Sequence, residues 1–137
     1  MKIPDEVLSL IREEQIRQSG KFIPEDDIYL KKLSENAELI AHISSAGCSG
    51  YVFFYCNDPL KLSSYITLIG VSPNSRRMGL GEALVNFVLK VTSRKGFKFC
   101  TLEVAINNIA AFRLYQSLGF EIVETRGAKY LMRAVVG

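Results

Sequence analysis

The spacing of hydrophobic and polar residues predicts helices first and strands afterwards in this chain of 137 residues. Apolar residues at helical spacing predict a first helix from Pro4 to about Gln18, and a second, short helix begins near Glu25. The apolar runs that follow are bounded by Gly, Pro, Asn and Asp, which indicates strands joined by turns. These three strands span about residues 39–44, 51–56 and 65–71.

The second half of the chain alternates between helix and strand. A helix follows Gly81 and ends before Gly96, because its apolar residues recur at helical spacing between these two glycines. The later elements are a strand at 97–105, a helix at 108–118, and two hairpin strands at 120–125 and 129–135. The predicted order is ααβββαβαββ. With no repeat or linker, residues 1–137 form one domain.

Composition narrows the range of functions. Although 48% of the residues are hydrophobic, no apolar run approaches the ~20 residues of a membrane span, and the acidic N-terminus lacks the apolar region of a signal peptide. We therefore expect a cytoplasmic protein with no membrane partner. The net charge of +3 suits an anionic ligand, but the basic residues are scattered among acidic ones, so we expect no nucleic-acid partner.

Cysteine and histidine give no metal signal. The three cysteines, Cys48, Cys56 and Cys100, are an odd number without a Cys-x-x-Cys pair, which indicates free thiols and neither a metal site nor a disulfide framework. The single histidine, His42, is in an early strand and is interpreted as structural.

The segment Val71–Gly81 carries the most specific chemical signal. An apolar strand stops at a proline, and a basic turn with two glycines leads into an amphipathic helix, an order that presents backbone N–H groups to a phosphate. A P-loop would need Lys-Ser or Lys-Thr after Gly81, and a dinucleotide fingerprint would need glycine at Leu84. Instead, Arg76, Gly79 and Gly81 form Arg-x-x-Gly-x-Gly.

This motif resembles the acetyl-CoA-binding motif of the GNAT superfamily of N-acetyltransferases. A second segment resembles the family's other hallmark, which is Asn-x-x-Ala followed by Leu-Tyr and then Gly-Phe-Glu. Its matching residues are Asn108, Ala111, Leu114, Tyr115, Gly119 and Phe120. The two motifs follow the family's order and separation, and the resemblance is close over residues 65–121.

The resemblance implies an α/β (α+β) fold of the GNAT type, with a mixed, mostly antiparallel central sheet flanked by helices. The family usually begins with a strand before its first helix, and here only Met1–Ile3 remain for it. We expect that strand to be short or missing. This departure affects the edge of the sheet and the way in which protomers would meet in a homodimer, an arrangement that stays open.

The resemblance also implies which residues hold acetyl-CoA as a cosubstrate, with no metal. The backbone of about Ile69 to Val71 pairs with pantetheine, the Val71 amide polarises the thioester carbonyl, and Gly70 is a plausible bulge residue. Asn108 caps a helix and touches pantetheine, and Ala111 belongs to the same motif. The pyrophosphate is held by the amides of Arg76, Arg77, Met78, Gly79, Leu80, Gly81 and Glu82.

The family chemistry is direct attack of an amine on the thioester, without a covalent enzyme intermediate. Tyr115 matches the tyrosine that protonates the departing thiolate, although it could simply pack in the core. Glu103 is the candidate base, acting directly or through a water, although it could merely bind a neighbouring polar group. Some members that acetylate protein N-termini carry this glutamate together with an arginine where Ala105 stands, so the match is partial.

The acceptor is less well specified. We expect a primary amine of a small molecule such as an amino sugar, because the chain is compact and has no long peptide-binding insertion. The alternatives are a protein or peptide N-terminus, a non-catalytic acyl-CoA-binding module, and a nucleotide-binding domain, the last disfavoured by the failed motif spacings. Residues 20–27, 51–55 and 126–129 are expected to contact the acceptor. They contain both acidic and basic side chains, so they do not choose between cationic and anionic acceptors.

Overall fold

The computed structural model describes residues 1–137 as a six-stranded sheet with two helices on each face. The helices are α1 (Asp5–Arg17), α2 (Asp27–Asn36), α3 (Leu80–Arg94) and α4 (Ile109–Ser117), with a short 3₁₀ helix at Pro73–Ser75. The strands are β1 (Glu38–Ser44), β2 (Gly47–Tyr55), β3 (Ser63–Val71), β4 (Phe99–Ala105), β5 (Glu121–Arg126) and β6 (Lys129–Val135). The predicted order of helices and strands is confirmed.

The sheet has the strand order β1-β2-β3-β4-β6-β5, in which only the central pair, β3 and β4, is parallel. The expected mixed, mostly antiparallel sheet is therefore confirmed. The parallel pairing extends only from Ser63 opposite Phe99 to Ile66 opposite Leu102. Beyond this point β3 stays paired with β2, and β4 stays paired with β6. A cleft therefore opens in the middle of the sheet.

The prediction of a bulge at Gly70 is wrong, because the irregularity lies three residues earlier. Gly70 is in register opposite Tyr51, whereas Thr67 has no partner between the pairs Phe53–Leu68 and Phe54–Ile66. An extra residue reverses the faces to which later side chains point. The bulge thus places Ile66 in the core beneath α3 and Leu68 in the core beneath α1.

Two hydrophobic cores lie on opposite faces of the sheet. The α1 and α2 face buries Val7, Leu33 and Phe53, and the α3 and α4 face buries Val88 and Phe120. Residues 1–4 form no strand, in agreement with the expectation that the family's first strand is short or missing here. None of the helices combines the length and the hydropathy needed to cross a membrane.

Two strands begin earlier than their hydrophobic patterns predicted. Gly47 pairs with Ser44, so β2 starts four residues before Tyr51. β3 starts at Ser63, where polar side chains find internal partners: the buried hydroxyls of Ser64 and Thr92 are 2.9 Å apart. Because hydrogen bonding makes these serines compatible with the interior, an apolar pattern alone does not reveal them.

Candidate active site

The loop before α3 holds a row of backbone N–H groups that have no partner in the protein. None of the amides of residues 76–82 donates a hydrogen bond to a protein acceptor. Arg77 and Gly79 both have positive φ, at 68° and 75°, and Gly79 precedes the first turn of α3 without a capping side chain. Left-handed residues at a helix N-terminus produce a concave nest of N–H groups suited to an anion.

These residues line a cavity of about 370 Å³, which we call the α3 cavity. Arg76 and Arg77 outnumber the single carboxylate of its lining, Glu82, so the charge of the α3 cavity favours a phosphate group. Met78, predicted to bind through its backbone, is not among the lining residues, and its side chain is exposed. The full lining is Val71, Ser75, Arg76, Arg77, Gly79, Leu80, Gly81, Glu82, Ala110, Ala111 and Leu114.

A second cavity, of about 200 Å³, lies beside α1 and is called the α1 cavity. It shares Val71 and Arg76 with the α3 cavity. The end of β3 is therefore reached from two cavities, one bordered by α1 and the other by α3. The α1 cavity is lined by Leu10, Glu14, Gln18, Phe22, Tyr51, Ile69, Gly70, Val71, Arg76 and Asn108.

Arg76 connects the two cavities through its side chain. Its Nε donates to the carbonyl of Val71 at 3.3 Å, and its Nη2 donates to Glu14 Oε1 at 3.1 Å. Partial burial raises the pKa of Glu14, but hydrogen bonds from Gln18 and Arg17 and the nearby guanidinium charges outweigh it, so the pKa is lowered. Glu14 is therefore ionised, and it ties α1 to the loop after β3.

Across the cleft, Tyr65 on β3 donates a hydrogen bond to Glu103 Oε1 on β4, at 3.0 Å. Their neighbours Ile66 and Leu102 face the α3 core, so both side chains project to the α1 face. Burial, the hydrogen bond to Glu103 and the charge of that carboxylate raise the pKa of Tyr65, so the phenol stays protonated. The pair lies where β3 and β4 begin to separate.

Tyr115 lies on the opposite face of the sheet from Tyr65 and Glu103. It lies on α4 and packs in the α3 core, where its ring meets Phe120 edge-on at 5.9 Å. It is 7% exposed, burial raises its pKa, and its hydroxyl makes no hydrogen bond within the protein. At the start of α4, Asn108 accepts a hydrogen bond from the Ala111 amide at 3.3 Å, which confirms the predicted cap.

Known proteins match both the sequence and this arrangement. A model of the acetyltransferase (GNAT) family matches residues 6–120, most of the chain. This chain belongs to the GNAT family. N-alpha-acetyltransferase 50 from Danio rerio is 39% identical over 67 residues, which are 48% of this chain and 40% of that protein. The chain therefore corresponds to less than half the length of this curated relative.

Solved structures show the same fold. The ribosomal-protein-S18-alanine N-acetyltransferase from Escherichia coli superposes with a TM-score of 0.77 and 20% identity, covering 100% of this chain and 91% of that one. The PaiA N-acetyltransferase from Thermoplasma acidophilum, solved in complex with coenzyme A, gives a TM-score of 0.67 at 17% identity and covers 98% and 80% of the two chains. These identities support a shared GNAT fold.

The GNAT motifs account for only part of the site. Phe22 and Tyr51 come from segments expected to contact the acceptor, but the 126–129 turn lines neither cavity. The predicted catalytic residues Glu103 and Tyr115, and Tyr65, also lie outside the lining of both cavities. His42 is exposed on an edge strand. The motifs missed Tyr65, whose role depends on the register of β3 against β4. They also missed a stripe along α1 and its C-cap, for which the i, i+4, i+8 spacing was the only available signal: Leu10, Glu14 and Gln18.

Proposed function

We propose that this GNAT protein transfers an acetyl group from acetyl-CoA to the α-amine of a peptide N-terminus. The main support for an acyl transferase is that two cavities, from the two faces of the sheet, meet at Val71. The support for a peptide acceptor comes from the names of two similar proteins, an N-alpha-acetyltransferase and a ribosomal-protein-S18-alanine N-acetyltransferase. The small-molecule amine expected from compactness is the competing acceptor.

The α3 cavity fits the pyrophosphate of coenzyme A. Seven consecutive amides, from Arg76 to Glu82, have no protein acceptor, and a row of this kind matches several phosphate oxygens at once. The edge of β3 from Thr67 to Val71 is free of β4, which leaves room for pantetheine to pair along it. When bound, acetyl-CoA supplies the activated acetyl group.

The amide of Val71 has the orientation needed to bind a thioester oxygen. Ser72 N donates to Ser49 O at 2.8 Å, so at this position β3 bonds to β2. Backbone groups alternate in direction along a strand, and the N–H of Val71 therefore points away from β2 and into the cleft. Arg76 holds the Val71 carbonyl and fixes this geometry. In this position the amide acts as an oxyanion-hole donor.

Two titratable groups take the proton roles on opposite faces. Glu103, oriented by the Tyr65 hydroxyl, accepts the proton of the amine on the α1 face, directly or through a water. Tyr115, kept neutral by burial, donates a proton to the thiolate on the α3 face. The separation of base and acid by the sheet lets the amine enter from one side and the thiol leave from the other.

The test is thiol release from acetyl-CoA with short peptides bearing Met, Ala or Ser at a free N-terminus, compared with amino sugars and polyamines. Each peptide is paired with its Nα-blocked form, which must be inert if the α-amine is the acceptor. Glu103→Gln should lower kcat by about 10²–10⁴ while leaving CoA binding intact. Turnover confined to amino sugars would replace the peptide assignment, and CoA binding without any turnover would indicate a binding module.

A further inference from the structure

The hydroxyl of Tyr51 is the one side-chain polar atom that is completely inaccessible to solvent and has no hydrogen-bond partner in the protein. Tyr51 is fully buried and contributes to the lining of the α1 cavity. A buried donor without a partner loses its hydration and gains nothing in return. Native proteins usually satisfy such groups, so an exception at a cavity indicates a ligand that supplies the missing partner.

The surrounding backbone holds this hydroxyl in place. Tyr51 lies on β2 directly opposite Gly70, and its ring crosses that glycine. A Cβ atom at residue 70 would lie only 2.5 Å from the hydroxyl oxygen and 2.6 Å from Cε1 and Cζ of the ring. On its other side the ring packs edge-on against Phe53, with centroids 5.7 Å apart. The hydroxyl is thus held in a fixed position beside Gly70, which lines the same cavity.

The neighbouring carboxylate does not satisfy the phenol. Glu14 already accepts hydrogen bonds from Arg17, Gln18 and Arg76 through its two oxygens. Burial, followed by the charge of Glu14 and the proximity of Cys48 and Tyr29, raises the pKa of Tyr51. The phenol therefore keeps its proton, and that proton needs an acceptor atom.

We infer that Tyr51 determines acceptor specificity, and that its hydroxyl donates a hydrogen bond to the carbonyl oxygen of the first residue of the peptide. This inference rests on the proposed function. A peptide N-terminus places a carbonyl oxygen two bonds from the carbon that bears the amine, so one contact orients the nucleophile. The other side-chain donors in the lining are Gln18, Arg76 and Asn108. Gln18 and Arg76 already donate to Glu14, whereas the Tyr51 hydroxyl has no partner in the protein.

The experiment compares Tyr51→Phe with the wild type on a free-N-terminal peptide and on its analogue with a thioamide at the first residue. Sulfur is the weaker hydrogen-bond acceptor and keeps the shape of the amide. The loss of a hydrogen bond to a buried carbonyl should lower kcat/KM for the peptide by about 10- to 100-fold. The loss for the thioamide should be smaller, so the variant distinguishes the two peptides less than the wild type does.

Tyr130→Phe is the control. Tyr130 is a half-buried tyrosine on β6 whose ring packs against Phe112 with centroids 5.5 Å apart, and it lines neither cavity. Removal of its hydroxyl should leave kcat/KM unchanged. Tyr51→Phe should also keep the wild-type Tm or raise it, because no hydrogen bond within the protein is lost.

The outcomes separate this inference from the proposed function. If the wild type acetylates no peptide, the proposed function fails. If the wild type acetylates the peptide and Tyr51→Phe does so equally well, or loses the same factor on both peptides, the inference about Tyr51 is overturned. A fall in Tm with weaker acetyl-CoA binding in Tyr51→Phe would also overturn it, because that pattern indicates a structural role.

Discussion

The two cavities that meet at Val71 are constructed in different ways. The α3 cavity comes mainly from one continuous segment, in which the backbone amides of residues 76–82 have no acceptor in the protein. The α1 cavity is assembled from α1, β2, β3 and the start of α4, and side chains form its polar surface. A local segment can encode a site for a ligand common to a family, whereas a site made from distant side chains can vary with the acceptor.

The polar groups of the two cavities also differ in whether they already have partners within the protein. In the α3 cavity the backbone N–H donors have no acceptor in the protein, so they are available to bind an anion. In the α1 cavity the only carboxylate, Glu14, is already engaged by Arg17, Gln18 and Arg76, and the hydroxyl of Tyr51 is the buried group that lacks a partner. Mutations should therefore act on cosubstrate binding in one cavity and on acceptor turnover in the other.

The largest effect is expected at Gly79. A Trp at this position combines a left-handed backbone, unfavourable by ~1–2 kcal/mol for other residues, with a side chain that occupies the α3 cavity. Gly79→Trp should abolish CoA binding measurable by calorimetry, because the bulky side chain blocks the approach of the pyrophosphate to the amides. Gly79→Ala is the control, because its Cβ meets no atom within 4 Å and carries only the backbone strain. Equal affinity in the two variants would mean that the phosphates bind elsewhere.

Tyr115→Phe tests the chemical step on the α3 face. The removal of a general acid should lower kcat by about 10²–10⁴. The Kd of CoA and the Tm should stay near their wild-type values, because the hydroxyl makes no hydrogen bond in the protein. Single-turnover kinetics with saturating acetyl-CoA would separate this loss from product release. An unchanged rate would leave Tyr115 as a core residue, the alternative that its contact with Phe120 permits.

A moderate effect is expected at Tyr65 on the α1 face. Tyr65→Phe removes the hydrogen bond that orients Glu103, and a hydrogen bond to a charged group is worth about 1.5–3 kcal/mol. We expect kcat to fall by roughly tenfold with CoA affinity unchanged. Combination with Glu103→Gln should add little further loss, because both changes affect the same proton transfer. Fully additive losses would show that the two residues act independently.

The smallest effect is expected from Glu14→Gln. The ion pair with Arg76 is partly exposed, so the variant should lose less than about 1 kcal/mol of stability at pH 7. Because folding lowers the pKa of Glu14, its contribution is present above the ordinary value of 4.5 and disappears as pH falls through the lower folded value. Urea unfolding of both proteins between pH 7 and pH 3 should therefore show converging stabilities.

Glu35→Gln provides the comparison for that measurement. Its partner Lys31 is 4.0 Å away one helical turn earlier, and both side chains are largely exposed. This pair should contribute no measurable stability at any pH. If Glu14→Gln behaves in the same way, the link between α1 and the loop after β3 has no energetic role.

Much of the fold could be predicted because its signals are local. Apolar periodicity gave the order of helices and strands, and Arg76, Gly79 and Gly81 lie within six residues, so their spacing alone indicated a phosphate nest. The first residues of the strands were less predictable. Ser64 is polar, and its hydroxyl is accommodated in the interior at the start of β3 by a buried hydrogen bond with Thr92. The glycine at position 70 was predicted to form a bulge, but the structural reason for it is different. Gly70 makes room for the ring of Tyr51 and does not form a bulge.

The sequence by itself determined the family, the order of the elements and the glycine-containing loop before α3, because each depends on residues close together in the chain. Only the tertiary structure decided which side chains form the α1 cavity and that Tyr65 binds Glu103, 38 residues away. The bulge at Thr67 sets the faces of the following residues, and the early end of β3–β4 pairing opens the cleft. Register between distant strands depends on the packing of both cores at once, and no short stretch of sequence specifies it.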